Sequence, residues 1–579
     1  MNTADKSMYV WETIPWRKLE RSVFKLQKRI YQASQRGDVK TVHKLQRLLI
    51  KSWSAKCLAV RRVTQENRGK KTAGVDGIKS LTPIQRLALV KNLKLSQKSR
   101  PTRRVWIPKP GTKEERPLGI PTMADRALQA LVKLALEPEW EAKFEPNSYG
   151  FRPGRSCHDA IEAIFNTIRY KAKFVLDADI AKCFDSINHE ALLRKLNTSP
   201  TIRHQIKAWL KAGVIDWKAY SERKEAYSHT SKSTPPGGVI SPLLANIALH
   251  GLENRITQAF PKRNLLVNGK TVTIPSPAVI RYADDFVILH EDLSVVQRCQ
   301  QIASDWLKDM GLELKPSKTR TSHTLQKYEE NRGFNFLGFN VRQYPQGKNH
   351  SGKNTNGQLL GFKTLIKPNN EAIKRLLSKT AEIIGSMKAA PQPEVIKRLN
   401  LILRGWANYY STVVSKDAFA KADHLLFSQL KSWAEFRHHN KGTSWVKAKY
   451  WKTIGTEKWV FTNSTKEARL LEIADTPILR YTKVKGNSSP FDGNWVYWSS
   501  RLAKYPGISK DAAFLLRRQK GKCSRCGLNF NMGDVMEIHH IDENHNNNKN
   551  SNLSMLHGHC HDHTHSIWLE NEFKALEEW

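Results

Sequence analysis

The chain has 579 residues, enough for several domains, and carries 95 Lys and Arg against 53 Asp and Glu, a formal net charge of +42. An excess spread over a whole chain is hard to explain as solvated helix faces, and its simplest partner is nucleic acid. No apolar run reaches transmembrane length and the opening MNTADKSMYV lacks a signal peptide's apolar core, so the expectation is an intracellular protein with no membrane partner.

From Trp16 to about Val60 the periodicity predicts two amphipathic helices. Leu19, Val23, Leu26 and Ile30 mark one face, and Val42, Leu45, Leu49 and Trp53 mark the other. Gly37-Asp38 separates them, with Asp38 as the N-cap. Their basic outer faces read either as solvated surface or as an RNA-contacting extension. The Gly-rich basic loop Arg68 to Gly77 lacks the spacing of a phosphate-cradling Walker loop. Arg103-Arg104-Val-Trp-Ile-Pro-Lys109, followed by Arg116-Pro-Leu-Gly-Ile-Pro, predicts a basic β-hairpin.

Two stretches further on carry the chemistry. Lys173 to Ile180 is an apolar strand with Asp177 and Asp179 near its end, followed by Cys183-Phe184-Asp185. Ala278 to Leu289 reads as strand–turn–strand with the adjacent carboxylates Asp284 and Asp285 at its tip. Neighbouring carboxylates repel each other, and a divalent cation offsets that charge. Asp179, Asp284 and Asp285 on adjacent strands can hold two Mg2+ ions, the arrangement that stabilises both the attacking and the leaving oxygen of an in-line phosphoryl displacement.

Residues 343 to 358, rich in Gly, Asn and Lys, read as a loop or linker. Three helices follow, with apolar faces at Ile373/Leu376/Leu377/Ile383/Ile384, Val395/Leu399/Ile402/Trp406/Tyr409 and Phe419/Ala422/Leu426/Leu430/Trp433. Residues 441 to 515 mix cations with Trp and suggest a DNA-contacting linker or a generic basic surface. Of the seven cysteines, Cys57, Cys157, Cys183 and Cys299 read as reduced core thiols. Cys523-x-x-Cys526 and His557-x-x-Cys560 form two ligand pairs that suit a closed structural Zn2+ site.

The YADD turn (Tyr282 to Asp285), the preceding Asp179-Ile-x-x-Cys-Phe-Asp, the run SYGFRPGRS (Ser148 to Ser156) and TPPGGVISPLLAN (Thr234 to Asn246) together resemble the reverse transcriptases of group II introns. The resemblance runs in order over roughly residues 65 to 340, and Arg404-Gly-Trp-Ala-Asn-Tyr-Tyr410 resembles the maturase region of the same family. It implies a multidomain α+β protein. Its expected parts are a basic N-terminal extension (1–64), fingers and palm (65–342), a helical thumb or maturase domain (343–440), a basic DNA-binding linker domain (441–515) and a C-terminal module (516–579). By resemblance, Lys109 and Arg116 belong to the fingers that hold the incoming nucleotide, Phe184 excludes a ribose 2′-OH, and Lys318 lies near the triphosphate. Pro236 stands where the family usually has Gln.

Glu537-Ile-His539-His540-Ile541, then Asn552 and His561, resemble an HNH endonuclease, a ββα fold around one catalytic Mg2+. That resemblance implies His540 as general base, His539 and His561 as metal ligands, and Asn552 as a loop brace; in so His-rich a stretch, His559, His563 and His565 read as bystanders. The expected protein is a group II intron-encoded reverse transcriptase, maturase and endonuclease. Its expected partners are intron RNA, target DNA and deoxynucleoside triphosphates, in a bacterial cytoplasm or an organelle of bacterial origin. The alternative is a splicing maturase whose polymerase has decayed; a viral RNA polymerase is disfavoured by Phe184 and the appended module.

Overall fold

The computed structural model describes residues 10–108, 115–216, 227–228, 237–267, 270–329, 331–465, 467–506, 508–530, 534–562 and 564–565. The N-terminal region forms three helices rather than two: α1 (Trp16–Gln35), α2 (Val39–Lys51) and α3 (Trp53–Arg61). Asp38 caps α2 as expected, accepting from the Thr41 amide at 3.0 Å. The helix expected to continue through Trp53 stops because Ser52 is extended and the apolar positions change phase, with Ala55, Cys57, Ala59 and Val60 buried instead. These helices share one core with the long helix Met123–Glu141. Gln46 reaches Glu139 at 2.6 Å and Ser34 reaches the Glu139 carbonyl at 2.9 Å across the seam. The boundary drawn at residue 64 falls inside a π-helical turn, Arg62–Glu66.

The basic hairpin forms from β1 (Thr102–Pro108) and β2 (Glu115–Ile120), with Ile107 opposite Arg116. The central sheet has four antiparallel strands: β3 (Phe174–Asp179), β4 (Ala278–Tyr282), β5 (Asp285–His290) and β6 (Arg320–His323), in the order β6-β3-β5-β4. Strand alternation splits its side chains between two cores. Leu176, Ala178, Phe286 and Ile288 join the core under the N-terminal helices, whereas Val175, Val287, Leu289 and Ile280 join the core shared with the three later helices.

Those helices form where expected, at Asn370–Ser386, Gln392–Tyr410 and Lys416–Arg437. The linker expected from residue 343 is different. Gln343 lies in a strand, Phe339–Pro345, of a three-stranded sheet with Phe334–Phe336 and Phe362–Pro368. Its amide is fully buried and accepts from Thr324 Oγ1 at 2.6 Å while donating to the Ile168 carbonyl at 2.6 Å. A polar side chain with such partners reads as loop in sequence and is core in the fold.

The chain then passes back over the palm. Arg501 and Tyr481 both bond Asp159, the former at 2.5 Å; Asp159 lies in the first turn of the helix Cys157–Ile168 and accepts from the amide of its cap residue Ser156. A small third core holds Leu515, Phe530, Leu553, Met555 and Cys560. Over it sits the hairpin β7 (Met536–His540) and β8 (Leu553–His557), which runs into a helical segment from Gly558. Among the described residues, no helix is long and apolar enough to cross a membrane.

Candidate active site

Asp285 lies directly opposite Asp179 in the pairing of β3 with β5, and Tyr282 opposite Asp285 closes a two-residue turn at Ala283-Asp284. Ala283 takes φ +58°, the left-handed region that such hairpin turns require. Arg281 holds the turn. Its guanidinium donates to Asn246 Oδ1 at 3.0 Å, to the Ala283 carbonyl at 3.1 Å and to Ser148 Oγ at 2.7 Å, and it is 3% exposed. Asn246 in turn donates to the Gly150 carbonyl at 2.7 Å. Gly150 is so close that a Cβ there would come within 2.3 Å of the Ala283 amide nitrogen. Three motifs far apart in sequence are thus one hydrogen-bonded frame around the carboxylates. Arg281 was not singled out from the sequence, where it reads as one more cation of a basic chain.

Burial raises the pKa of Asp284, and it pushes Asp285 up to about 7 with help from Asp284 and Asp179. Asp177, two residues before Asp179 on the same face, is pushed up to about 7 by burial and by Asp285. Half-buried carboxylates that resist ionisation beside one another are a donor set that fits divalent cations. Lys318 Nζ donates to Asp179 Oδ2 at 2.6 Å, and Arg116 bears electrostatically on Asp284. Phe184 packs edge-to-face on Phe151 with ring centroids 6.1 Å apart. Lys109 and Pro236 lie outside the described residues.

The C-terminal module holds two further clusters. The ligand atoms of Cys523, Cys526, His557 and Cys560 lie within 4.8 Å of one another, and His557 Nδ1 is 3.3 Å from Cys526 Sγ. Three thiols and an imidazole, mostly buried, fit tetrahedral Zn2+. Beside them, ring nitrogens of His539, His561 and His565 also lie within 4.8 Å of one another. His565, read as a bystander, therefore joins the pair proposed from sequence. It follows His561 by four residues on a helical segment, the spacing that puts two side chains on one face.

His561 Nδ1 contacts Glu537 at 2.8 Å, which orients its ring. His540 projects to the opposite face of β7 and meets Asn548 at 3.1 Å. Nδ1 of His539 and of His540 are buried with no hydrogen-bond partner among the described residues. Asn552 accepts from the Asp542 amide at 2.9 Å and donates to the Asp542 carboxylate at 2.6 Å, bracing the intervening loop.

A four-stranded antiparallel sheet with paired carboxylates at one turn, a basic hairpin ahead of it and a helical domain behind it defines a palm-type polymerase of the reverse-transcriptase class. Residues 107–341 match the family described as "Reverse transcriptase (RNA-dependent DNA polymerase)", 11–93 the "N-terminal domain of reverse transcriptase", and 373–451 the "Group II intron, maturase-specific domain". The chain is 31% identical over 312 residues to Protein YkfC of Escherichia coli (strain K12), a match covering 48% of this chain and 77% of that protein. It is 29% identical over 383 residues to the group II intron-encoded protein LtrA of Lactococcus lactis subsp. cremoris, covering 54% of this chain and 60% of LtrA. It is 27% identical over 378 residues to an uncharacterized 91 kDa protein in the cob intron of Schizosaccharomyces pombe, covering 55% and 44%. The chain belongs to the group II intron reverse transcriptase and maturase family.

Proposed function

We propose that the protein binds group II intron RNA, assists its splicing, cleaves target DNA with the C-terminal module and copies the intron RNA onto the cut DNA end. The observation that carries the polymerase reading is the register that sets Asp179 against Asp285, with Asp284 at the turn. Paired Mg2+ ions, when bound there, supply the charge that stabilises both oxygens of the in-line displacement. Asp179, Asp284 and Asp285 would hold them. Lys318, freed from Asp179, and Arg116 face the triphosphate, and Phe184 limits the space beside the sugar.

The endonuclease reading rests on the His539, His561 and His565 cluster beside the proposed zinc ligands Cys523, Cys526, His557 and Cys560. In that reading His539 and His561, with His565 beside them, would hold a catalytic divalent metal of the kind imidazole binds, and His540 would take the proton of the attacking water.

The test is extension of a DNA primer on an RNA template by the purified protein with deoxynucleoside triphosphates and Mg2+, paired with strand cleavage of a duplex carrying the intron insertion site. Extension supports the reading. Intron RNA binding and splicing without extension would instead favour a maturase whose polymerase has decayed.

A further inference from the structure

The proposed zinc site does not stand alone in the C-terminal module. Its histidine faces the other end of the chain. His557 turns Nδ1 toward Cys526 Sγ, at 3.3 Å, and Nε2 toward Asp534 Oδ2, at 3.6 Å. A neutral imidazole that binds a metal through Nδ1 carries its proton on Nε2, so its N–H points at that carboxylate. Such an outer carboxylate fixes the ring's tautomer and orientation.

Asp534 does not end the chain of contacts. Arg62 Nη1 lies 3.9 Å from Asp534 Oδ1 and 2.9 Å from Glu66 Oε2. Arg61 joins Glu66 at 2.8 Å and Glu20 at 2.5 Å, and its side chain is 8% exposed. The π-helical turn Arg62–Glu66 follows directly after Arg61, and insertions of this kind recur at functional positions in helices. Arg17 of α1 also packs against Gly527, next to Cys526, at a point where a Cβ would come within 3.3 Å of the guanidinium. A cavity of about 680 Å³ between the two ends of the chain has Glu20, Arg61, Arg62 and Glu66 on one wall and Asp534 and His557 on the other.

We infer that Asp534 is the positioning residue of the zinc site, and that Arg62 of the N-terminal helical domain holds it, so that the N-terminal helices complete the outer shell of a metal bound at the opposite end of the chain. This inference rests on the zinc reading of Cys523, Cys526, His557 and Cys560. Asp534 touches no metal. It acts through His557, and Arg62 acts through Asp534.

The test uses the full-length protein and Zn2+, with affinity measured by competition against a chromophoric chelator. Asp534→Asn is expected to weaken Zn2+ binding about 10- to 100-fold, the usual cost of losing an outer-shell partner. Asp534→Glu, which keeps the charge, is expected to recover most of that loss. Arg62→Met, on the far side of the interface, should shift affinity in the same direction by a smaller factor. Two further readouts separate positioning from general destabilisation. The visible spectrum of the Co2+-substituted protein should change in Asp534→Asn and be restored in Asp534→Glu. Removing Zn2+ from the wild-type protein should speed amide exchange in residues 53–66. Wild-type protein that binds no Zn2+ would overturn the zinc reading and this inference with it. Wild-type protein that binds Zn2+, with unchanged affinity in Asp534→Asn and Arg62→Met, would overturn this inference alone.

Discussion

Lys318 Nζ sits 2.6 Å from Asp179 Oδ2, although 139 residues separate them in sequence. The lysine supplies the positive charge beside a carboxylate cluster that cannot otherwise ionise without cost, and the contact raises the lysine's own pKa. It also competes with any divalent cation for Asp179. Lys318→Met is therefore expected to lower the Mg2+ concentration needed for half-maximal primer extension while raising the KM for deoxynucleoside triphosphate. Steady-state kinetics at varied Mg2+ and nucleotide separate the two effects, and an unchanged KM would mean that the lysine does not face the triphosphate.

Asp284→Asn keeps the size of the turn residue and removes its charge. Loss of one carboxylate from a two-metal site removes several kcal/mol of transition-state stabilisation, so extension should fall by on the order of 100-fold or more. Intron RNA affinity, which depends on the cationic surface, should stay within about twofold. Filter binding and primer extension on the same preparation check both statements. Full extension by the variant would remove Asp284 from the site.

Asp285 gives a pH signature. Its carboxyl is raised from 3.8 to about 7 in the fold, chiefly by burial. Between those values the folded state holds a proton that the unfolded chain has lost, so the metal-free protein loses stability as pH rises through that window, and the full penalty applies above 7. Asp285→Asn removes the penalty. Without metal it should melt several degrees above wild type at pH 8, and the gap should close as pH falls toward 5. Added Mg2+ should raise the wild-type Tm at pH 8 and leave the variant nearly unmoved. Melting curves at four pH values with and without Mg2+ decide it, and a gap that widens at low pH would refute the assignment.

Phe184 rests against Phe151 five residues past Asp179. If its ring limits the space beside the sugar, Phe184→Ala should raise ribonucleotide use relative to deoxynucleotide use by on the order of 10-fold or more, the scale of removing a steric contact in a pocket. The ratio of kcat/KM values for matched nucleotides measures this. An unchanged ratio would place the ring away from the sugar.

The histidines of the C-terminal module should separate by role. His540→Ala removes a general base and should reduce strand cleavage about 100- to 10,000-fold. His565→Ala should reduce it by weakening the metal site, and excess Mg2+ or Mn2+ should recover part of the loss. Cys523→Ser should act by unfolding the module and releasing Zn2+. Primer extension should survive all three, because the palm strands that carry the carboxylates pack in other cores than the C-terminal module. Cleavage, extension and zinc content measured together distinguish these outcomes.

The palm carboxylates were legible in the sequence because their signal is local. Adjacent acids between two β-branched runs are costly without a cation, and strand periodicity puts Asp179 and Asp285 on pleats that can meet. The cysteine pairs and the amphipathic helices after the palm were legible for the same reason, since ligand spacing and helical period are properties of a few consecutive residues. The break at Ser52, the buried strand position of Gln343 and the approach of His565 to His539 and His561 are not legible in the sequence. Each depends on what the residue packs against, and a Trp, a Gln or one more His in a basic chain carries no mark of its partner.

By itself, then, the chain's sequence determined which residue types could do the chemistry and along which strands and helices they would lie. Only the tertiary structure decided which distant groups meet: Lys318 with Asp179, Arg281 with Ser148 and Asn246, and Arg62 with Asp534. The physical reason is that a hydrogen bond or ion pair acts over a few ångströms of space and is indifferent to separation along the chain. Its partners therefore exist only once the apolar faces have packed and brought the segments together.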